Sequence, residues 1–570
     1  MRWTDKPVDE ALSSRLAEQL SISSFIARIL VGNGVSDPDE ATRFLRPRLA
    51  DLTDPFELSG MKAAVDRLVR ALDQDDQILV LGDYDVDGIT ATALFHRVLL
   101  DLGASPRFVI PRREGEGYGL GHAVLERAIA EGKPDLLVAL DCGTNSTDEI
   151  AFLTAQGVDV LIVDHHQLKG ELSPQAIFVN PHLDEDQGEP WRHLSAVGLA
   201  FKLTHGLLKR LRERGDVRAI EFPIKEQLDL VALGTVADLV PLRGENRIFA
   251  HSGLRQLSDS ARPGIHELRE VSGLRPGTLL TSTDVAFKLA PRINAGGRLA
   301  EADLPARLLT SDNLAESREL ALQLDKLNLE RRRIERSITG EATIQANEIE
   351  KGRLGIVTHS DHWHHGVVGI VAGKLSRSFG KPAIVLGSDG GVMKGSGRSI
   401  PGIDLVVILT GCSHLLETWG GHPAAVGLTL PRDNLAAFRD AFAEAVETTC
   451  HGQLPEPTLE IAYWVEQRSL GAKLLQELDQ LQPFGQENPE PILGLRGVHL
   501  AQPPRAVGEN HFRFAVSNDD GPISGIAWNL VHRQPPTDQP LDLAIRLGWN
   551  EWNGVTSPQM TLLDWRLTGN

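Results

Sequence analysis

Carboxylates and imidazoles recur in this chain immediately after apolar runs. Ile78 to Leu81 leads into Gly82-Asp83-Tyr84-Asp85-Val86-Asp87-Gly88, and Leu136 to Leu140 into Asp141-Cys142-Gly143. Val160 to Val163 leads into Asp164-His165-His166, and the apolar run Leu230 to Gly234 into Thr235-Val236-Ala237-Asp238. In an open parallel sheet, ligands bind beyond the carboxyl ends of the strands, so these segments would share one edge. Crowded carboxylates repel unless cations neutralise them. Oxygen ligands with one or two imidazoles suit Mn²⁺ or Mg²⁺ better than a thiolate zinc centre. Two such ions, about 3.5–4 Å apart, would activate water and stabilise both oxygens of an in-line phosphoryl displacement. Taken singly, Asp83, Asp85 and Asp87 also read as the start of a calcium loop, and Asp164-His165-His166 as a helix cap with a core histidine. The calcium loop lacks its closing Glu and follows a strand where a helix belongs.

The elements that must position these groups alternate. Strand-like runs at Gln77–Leu81, Arg107–Ile110, Leu136–Leu140 and Val158–Val163 are separated by helix patterns at Thr90–Leu102 and Ala123–Glu131. Continuous apolar strands alternating with helices predict an α/β doubly wound parallel sheet. Residues 1–50 read as an amphipathic helical lead-in, 51–310 as the catalytic domain and 311–350 as a long connecting helix capped near Ser311-Asp312. Residues 351–452 read as a smaller α/β domain, with strands at Leu354–Val357 and Ala383–Leu386. Beyond a Gly/Pro-rich break at Gly452–Pro457, residues 453–570 read as a small antiparallel β barrel with an Asn518-Asp519-Asp520-Gly521 turn.

A length of 570 residues suits several domains at about 100–200 residues each. The net charge of −19 argues against nonspecific duplex coating, yet leaves room for a local basic groove. Three cysteines without a C-x-x-C pair, a Met1–Lys6 segment without an apolar core, and no membrane-length apolar run lead us to expect a reducing cytoplasm and no membrane. Walker A, H-E-x-x-H and G-x-S-x-G signatures are absent, and Gly115–Gly121 lacks the G-x-G-x-x-G spacing.

Asp85-Val86-Asp87-Gly88, Asp141, Asp164-His165-His166 and Gly234-Thr235-Val236-Ala237-Asp238 resemble the four motifs of the DHH phosphoesterase superfamily. The longer forms Leu81–Gly88 and Ala237-Asp238-Leu239-Val240-Pro241-Leu242 resemble its RecJ branch, exonucleases that degrade single-stranded DNA from the 5′ end. The resemblance implies that Asp85, Asp87, Asp141, His165 and Asp238 bind two Mn²⁺ or Mg²⁺ ions. Asp83 would stand in for a histidine that many members carry at the position of Leu81, and His166 would shape the site or assist proton transfer.

Ser396-Gly397-Arg398-Ser399 and Gly420-Gly421-His422 resemble the DHHA1 domain. The segment Pro291 to Arg298 also looks RecJ-like and is expected opposite them across a cleft too narrow for duplex. By the same resemblance Arg113, Arg292, Arg298, Ser396, Arg398, Gly421 and His422 would hold the 5′ phosphate and adjacent backbone. Each arginine taken alone also reads as a surface ion pair. Pro483-Phe484-Gly485 to Asn488-Pro489-Glu490-Pro491 would open an OB-type barrel, in which Phe512, Phe514 and Trp528 either stack on bases or fill the interior. The cluster His359, His362, His364 and His365 is expected to pack or line the cleft rather than form a separate metal site.

The implied activity is hydrolysis of single-stranded DNA to 5′-mononucleotides in recombination and repair. The implied partners are a single-strand-binding protein and a RecQ-type helicase, around a monomer. Rival readings are a small-substrate phosphodiesterase or oligonuclease of the superfamily, and an inactive scaffold of a replication complex.

Overall fold

The structure, a computed structural model, describes residues 1–113, 115–184, 188–299, 302–348, 351–389, 391–518, 521–552 and 555–569. It divides into two compact units, one of Met1–Arg2, Pro291–Pro305 and Ala315–Pro457, the other of Trp3–Ala290, Ala306–Leu314 and Thr458–Asn570.

In the larger unit, five parallel strands lie in the order Arg107–Val109, Ile78–Gly82, Leu136–Leu140, Asp159–Val163, Ile177–Val179. Every residue of Ile78–Gly82 and Leu136–Leu140 is buried, as strands covered on both faces require. The chain reverses direction of growth beside Ile78–Gly82, which is where doubly wound sheets open their ligand crevice. The short fifth strand Ile177–Val179 adds to the four that the sequence pattern predicts. The apolar run expected at Leu230–Gly234 is a buried helix, Leu228–Ala237, and not a strand. Apolar runs of this length carry no period that separates the two.

Asp85 starts the helix Val86–Asp101 by accepting hydrogen bonds from the N–H groups of Asp87 and Gly88 at 3.0 and 3.1 Å. Gly88 is required there, since a β-carbon would lie 2.6 Å from the Asp83 backbone.

The N-terminal helices Glu10–Leu20, Ser24–Gly32 and Pro38–Leu45 do not stand apart. Leu16, Phe25, Ile26 and Leu30 share one core with Leu475, Leu493, Phe512 and Leu541 of the C-terminal domain. That domain is a seven-stranded mixed sheet, not a purely antiparallel closed barrel: Ile523–Ala527 runs parallel to Val555–Leu567. A single bridge from Leu500 to Val516 joins the end of the Leu493–Val498 strand to His511–Val516, giving the strand connectivity of an OB fold. Asp519 and Asp520 of the expected turn lie outside the described residues.

In the smaller unit, the sheet order is Thr418–His422, Ala425–Pro431, Val392–Arg398, Ala383–Asp389, Ile356–Ser360. The helix His365–Phe379 packs on one face, and Leu405–Cys412 with Leu435–Thr449 on the other. The long helix runs Leu314–Glu348, about 50 Å at 1.5 Å per residue. Asp312, of the expected cap, pairs with Arg97 at 2.6 Å, and the expected end at Glu350 lies outside the described residues. No described helix is long and apolar enough to cross a membrane.

Candidate metal centre

Asp83, Asp85, Asp87, Asp141, His165, His166 and Asp238, the side chains expected at the centre, do meet. Three overlapping groups have ligand atoms within 4.8 Å of one another: Asp83 with Asp85 and Asp141; Asp87 with His165 and Asp238; Asp141 with both histidines. His165 Nε2 lies 3.2 Å from Asp141 Oδ1, 3.6 Å from Asp238 Oδ2 and 3.9 Å from Asp87 Oδ2. Asp141 takes a left-handed backbone, φ 65°, with its N–H bonded to Val163 O at 3.0 Å. A non-glycine residue is strained in that conformation, and the strain turns its carboxylate into the pocket.

Asp87 is held at a second helix. Its oxygens accept the N–H groups of Ala196 and Val197 at 2.6 and 2.9 Å, the first residues of helix Ala196–Glu213. The partial positive charge at that helix start offsets part of the carboxylate's charge. Asp83 accepts from the Gly119 N–H at 3.2 Å, while its other oxygen is buried with no hydrogen-bond partner, and buried Asp141 Oδ1 has the His165 ring nitrogen 3.2 Å away without a formed hydrogen bond.

These orphaned oxygens decide what the pocket fits. Burial first, then the charge of Asp85, pushes Asp83 up to about 8 and Asp87 up to about 7. Burial with the charges of Asp87 and Asp85 raises Asp238 to about 9, and Asp141 is driven well above its ordinary range in the same way. Burial lowers His165 to about 4, leaving a neutral imidazole whose lone pair can bind a metal. Several acids that cannot all ionise alone, plus a neutral imidazole, form a donor set for divalent cations.

Residues 77–235 match the DHH family, N-terminal domain; 352–448 match the DHHA1 domain; and 461–564 match the RecJ OB domain. The single-stranded-DNA-specific exonuclease RecJ of Bacillus subtilis is 36% identical over 570 residues, covering 99% of this chain and 70% of that protein. The chain belongs to the RecJ family. Its fold also matches RecJ from Thermus thermophilus in complex with Mn²⁺, with TM-score 0.83, 30% identity, and 100% and 80% of the two chains covered. The same protein in complex with Mg²⁺ matches with TM-score 0.77, 29% identity, and 100% and 78% covered.

In this RecJ-family chain the residues missed from sequence are those that hold the ligands. Asp164 is not aimed at the pocket. It accepts the N–H groups of Thr144, His165 and His166 at 3.0, 2.8 and 3.2 Å, and pairs with His166 Nδ1 at 2.7 Å. Burial opposes its charge, but the bond from His166 and that ring's charge hold it below the usual carboxylate range. Asn180, the first residue beyond the unforeseen strand, donates to His166 O and Thr144 Oγ1 at 2.8 and 2.9 Å. The rule that exposed the other ligands would have found it once the strand was seen. Tyr118 O–H lies 3.0 Å from His166 Nε2, and Arg113 sits 5.7 Å from the Tyr84 ring, whose edge meets Tyr118.

The remaining expected residues fall in the smaller unit. Ser396 and Arg398 point to one face of their sheet. Ser396 shares a row with Gly427 and Gly420, and Arg398 one with Ala425 and His422. Helix His365–Phe379 turns a glycine to them, since a β-carbon on Gly369 would stand 3.2 Å from Ser396 Oγ. Gly421 lies in the next row, with Val426 and Gly397.

Arg292 pairs with Asp325 at 2.8 Å, and Arg298 donates to Gly366 O at 2.8 Å. Both belong to the same compact unit as the DHHA1 sheet. The histidine cluster is divided among separate partners. His359 meets Arg439, His362 meets Glu341, and His364 accepts the Gly366 N–H.

Proposed function

We propose that this chain is a metal-dependent exonuclease that hydrolyses single-stranded DNA from its 5′ end, releasing 5′-mononucleotides. The carrying observation is the convergence of Asp83, Asp85, Asp87, Asp141, His165 and Asp238, drawn from separate segments, on shared ligand positions. Two divalent ions held there, Mn²⁺ or Mg²⁺, would lower the pKa of water and neutralise phosphate charge in an in-line displacement.

The chain's own groups do the rest. Asp164 fixes the His166 ring so that Nε2 faces Tyr118 at the rim, where it can give or take a proton. Ser396, Arg398 and His422 offer a hydroxyl, a guanidinium fork and an imidazole on one sheet face, a set suited to a terminal phosphate. Membership of the RecJ family supports action on long single strands over small dinucleotides. We further propose work in recombination and repair beside a single-strand-binding protein and a RecQ-type helicase, in the cytoplasm, as a monomer.

Asp141→Ala tests the reading. The variant should stay folded and lose cleavage of a 5′-labelled long strand. Full Mn²⁺-dependent cleavage in it, or a wild-type preference for a dinucleotide, would overturn the assignment.

A further inference from the structure

Two hydroxyls outside the ligand set join the helices that deliver two of its acids. Ser195 Oγ and Thr235 Oγ1 lie 2.9 Å apart, and both side chains are fully buried. Ser195 caps the helix Ala196–Glu213 by accepting the Gly198 N–H at 3.3 Å. The next two residues, Ala196 and Val197, are the ones whose N–H groups hold Asp87. Thr235 lies on the other helix, Leu228–Ala237, three residues before Asp238 and so on the same side of it.

A threonine inside a helix often turns its hydroxyl to the carbonyl four residues back. Thr90 does so, to Val86 O at 2.8 Å. Thr235 instead crosses to the cap of a neighbouring helix. Apolar packing tolerates small slides between helices, whereas a hydrogen bond weakens steeply once its length or angle is off. The pair therefore fixes where one helix end sits against the other.

That placement reaches the ligands. His165 Nε2 stands 3.9 Å from Asp87 Oδ2 and 3.6 Å from Asp238 Oδ2, and the three residues form one candidate ligand group. Asp87 is held by the start of one helix and Asp238 is carried at the end of the other. The separation of their carboxylates follows the separation of the two helix ends that the hydroxyls join.

We propose that Ser195 and Thr235 are positioning residues that keep Asp87 and Asp238 at the spacing a small divalent ion needs, so that the hydroxyl pair tunes this position toward Mg²⁺. This rests on the metal-dependent nuclease reading above and deepens it by naming two groups that are not ligands yet govern which ion is held. Mg²⁺ accepts only a near-ideal octahedron at about 2.0–2.1 Å, so it suffers first when two ligands drift.

The test is equilibrium binding to the full chain without DNA. Mn²⁺ is followed by the electron paramagnetic resonance of the free ion, and Mg²⁺ by competition with it. Thr235→Val keeps the branched shape and removes the bond. It should weaken Mg²⁺ binding about tenfold or more, the range for groups that support metal ligands. Mn²⁺, a larger ion, should weaken about threefold or less. Thr235→Ser, which keeps the hydroxyl, should restore both. Ser195→Ala, which removes the other half of the bond, should affect the two ions in the same order. Thr204→Val is the control. Thr204 is a buried threonine on the same helix as Ala196 whose hydroxyl has no hydrogen-bond partner, so both affinities should stay at the wild-type value. At saturating Mn²⁺ the KM of Thr235→Val for a 5′-labelled strand should not change, while its Mg²⁺ requirement rises with the binding constant.

Wild-type Mg²⁺ affinity in both Thr235→Val and Ser195→Ala would overturn the proposal. So would an equal loss for the two ions, no recovery in Thr235→Ser, or a matching loss in Thr204→Val, because the hydroxyls would then only support the fold. If wild type itself binds neither ion, the metal-dependent reading fails instead, which is a distinguishable result.

Discussion

A β-carbon on Gly234 would stand 2.9 Å from Asp87 Oδ1. The helix that ends at Asp238 therefore lies against the helix that carries Asp87 at the limit of contact, and the spacing of two metal-ligand candidates depends on a missing side chain. The same β-carbon would meet Thr90 Oγ1 at 2.3 Å and Val197 Cγ1 at 2.7 Å. Gly234→Ala, favourable for an isolated helix, should cost about 1–3 kcal/mol through overpacking. Nuclease activity should fall at least tenfold because Asp87 and Asp238 are forced apart. Urea unfolding and rate measurements at saturating Mn²⁺ check both, and an unchanged rate would show that the ligands tolerate the shift.

Asp164 should make its mark on acid stability. Its folded-state pKa is depressed by His166, so its contribution is present above the unfolded value of about 3.9 and lost as pH falls below it. Asp164→Asn should cost roughly 1–3 kcal/mol at pH 7, since it weakens hydrogen bonds to a buried carboxylate whose partner ring, His166, is 41% exposed. The variant should also lose less stability than wild type between pH 5 and pH 3. Parallel pH profiles for the two proteins would show that Asp164 does not carry the acid limb.

How much of this could be seen beforehand follows from locality. Ile78–Gly82 and Leu136–Leu140 were legible because continuous apolar strands need no partner to be recognised, and the acids behind them announce the edge. Leu230–Gly234 shows in the sequence as an apolar run but not as a helix, because a helix buried all round has the same composition as a buried strand. Ile177–Val179, three residues long, was too short to register, and Asn180 was lost with it. Asp164 was visible as a residue but not as a positioning residue, because its role lies in bonds to Thr144 and His166 set by the fold. The packing of residues 10–45 on the C-terminal domain joins segments more than 400 positions apart, which no local pattern reveals.

Removing divalent ions should make stability fall as pH rises. Without them the folded protein keeps protons on Asp83 up to about 8, Asp87 up to about 7 and Asp238 up to about 9, whereas the unfolded chain releases them near pH 4. The folded state thus binds more protons across roughly pH 5–9, and the linkage makes it progressively less stable over that window. In EDTA the melting temperature should be lower at pH 8.5 than at pH 6, and Mg²⁺ should raise it more at pH 8.5. An equal Mg²⁺ shift at both values would mean that the carboxylates are already ionised without metal.

Arg247 ties three parts of the larger unit together without any carboxylate. It is 2% exposed, and donates to Phe44 O at 2.7 Å, Leu481 O at 3.1 Å, Gln482 O at 2.8 Å and Pro483 O at 3.4 Å. Its guanidinium also lies 3.6 Å from the Phe44 ring centroid. Phe44 O and Leu481 O are carbonyls near the ends of two helices, Pro38–Leu45 and Ala472–Leu481, so one cation satisfies both C-termini. Arg247→Met should leave Phe44 O and Gln482 O without this donor, at about 1–3 kcal/mol each, while Leu481 O and Pro483 O keep the Asn488 side-chain amide at 2.9 and 2.8 Å. Arg247→Lys should recover only part, because an ammonium cannot spread its donors over four acceptors in one plane. Hydrogen exchange resolves where the loss falls. Protection should drop in residues 10–45 and 472–488, while Leu136–Leu140 stays protected and Mg²⁺ still raises the melting temperature. Uniform loss across both regions would show that Arg247 supports the whole unit rather than the junction alone.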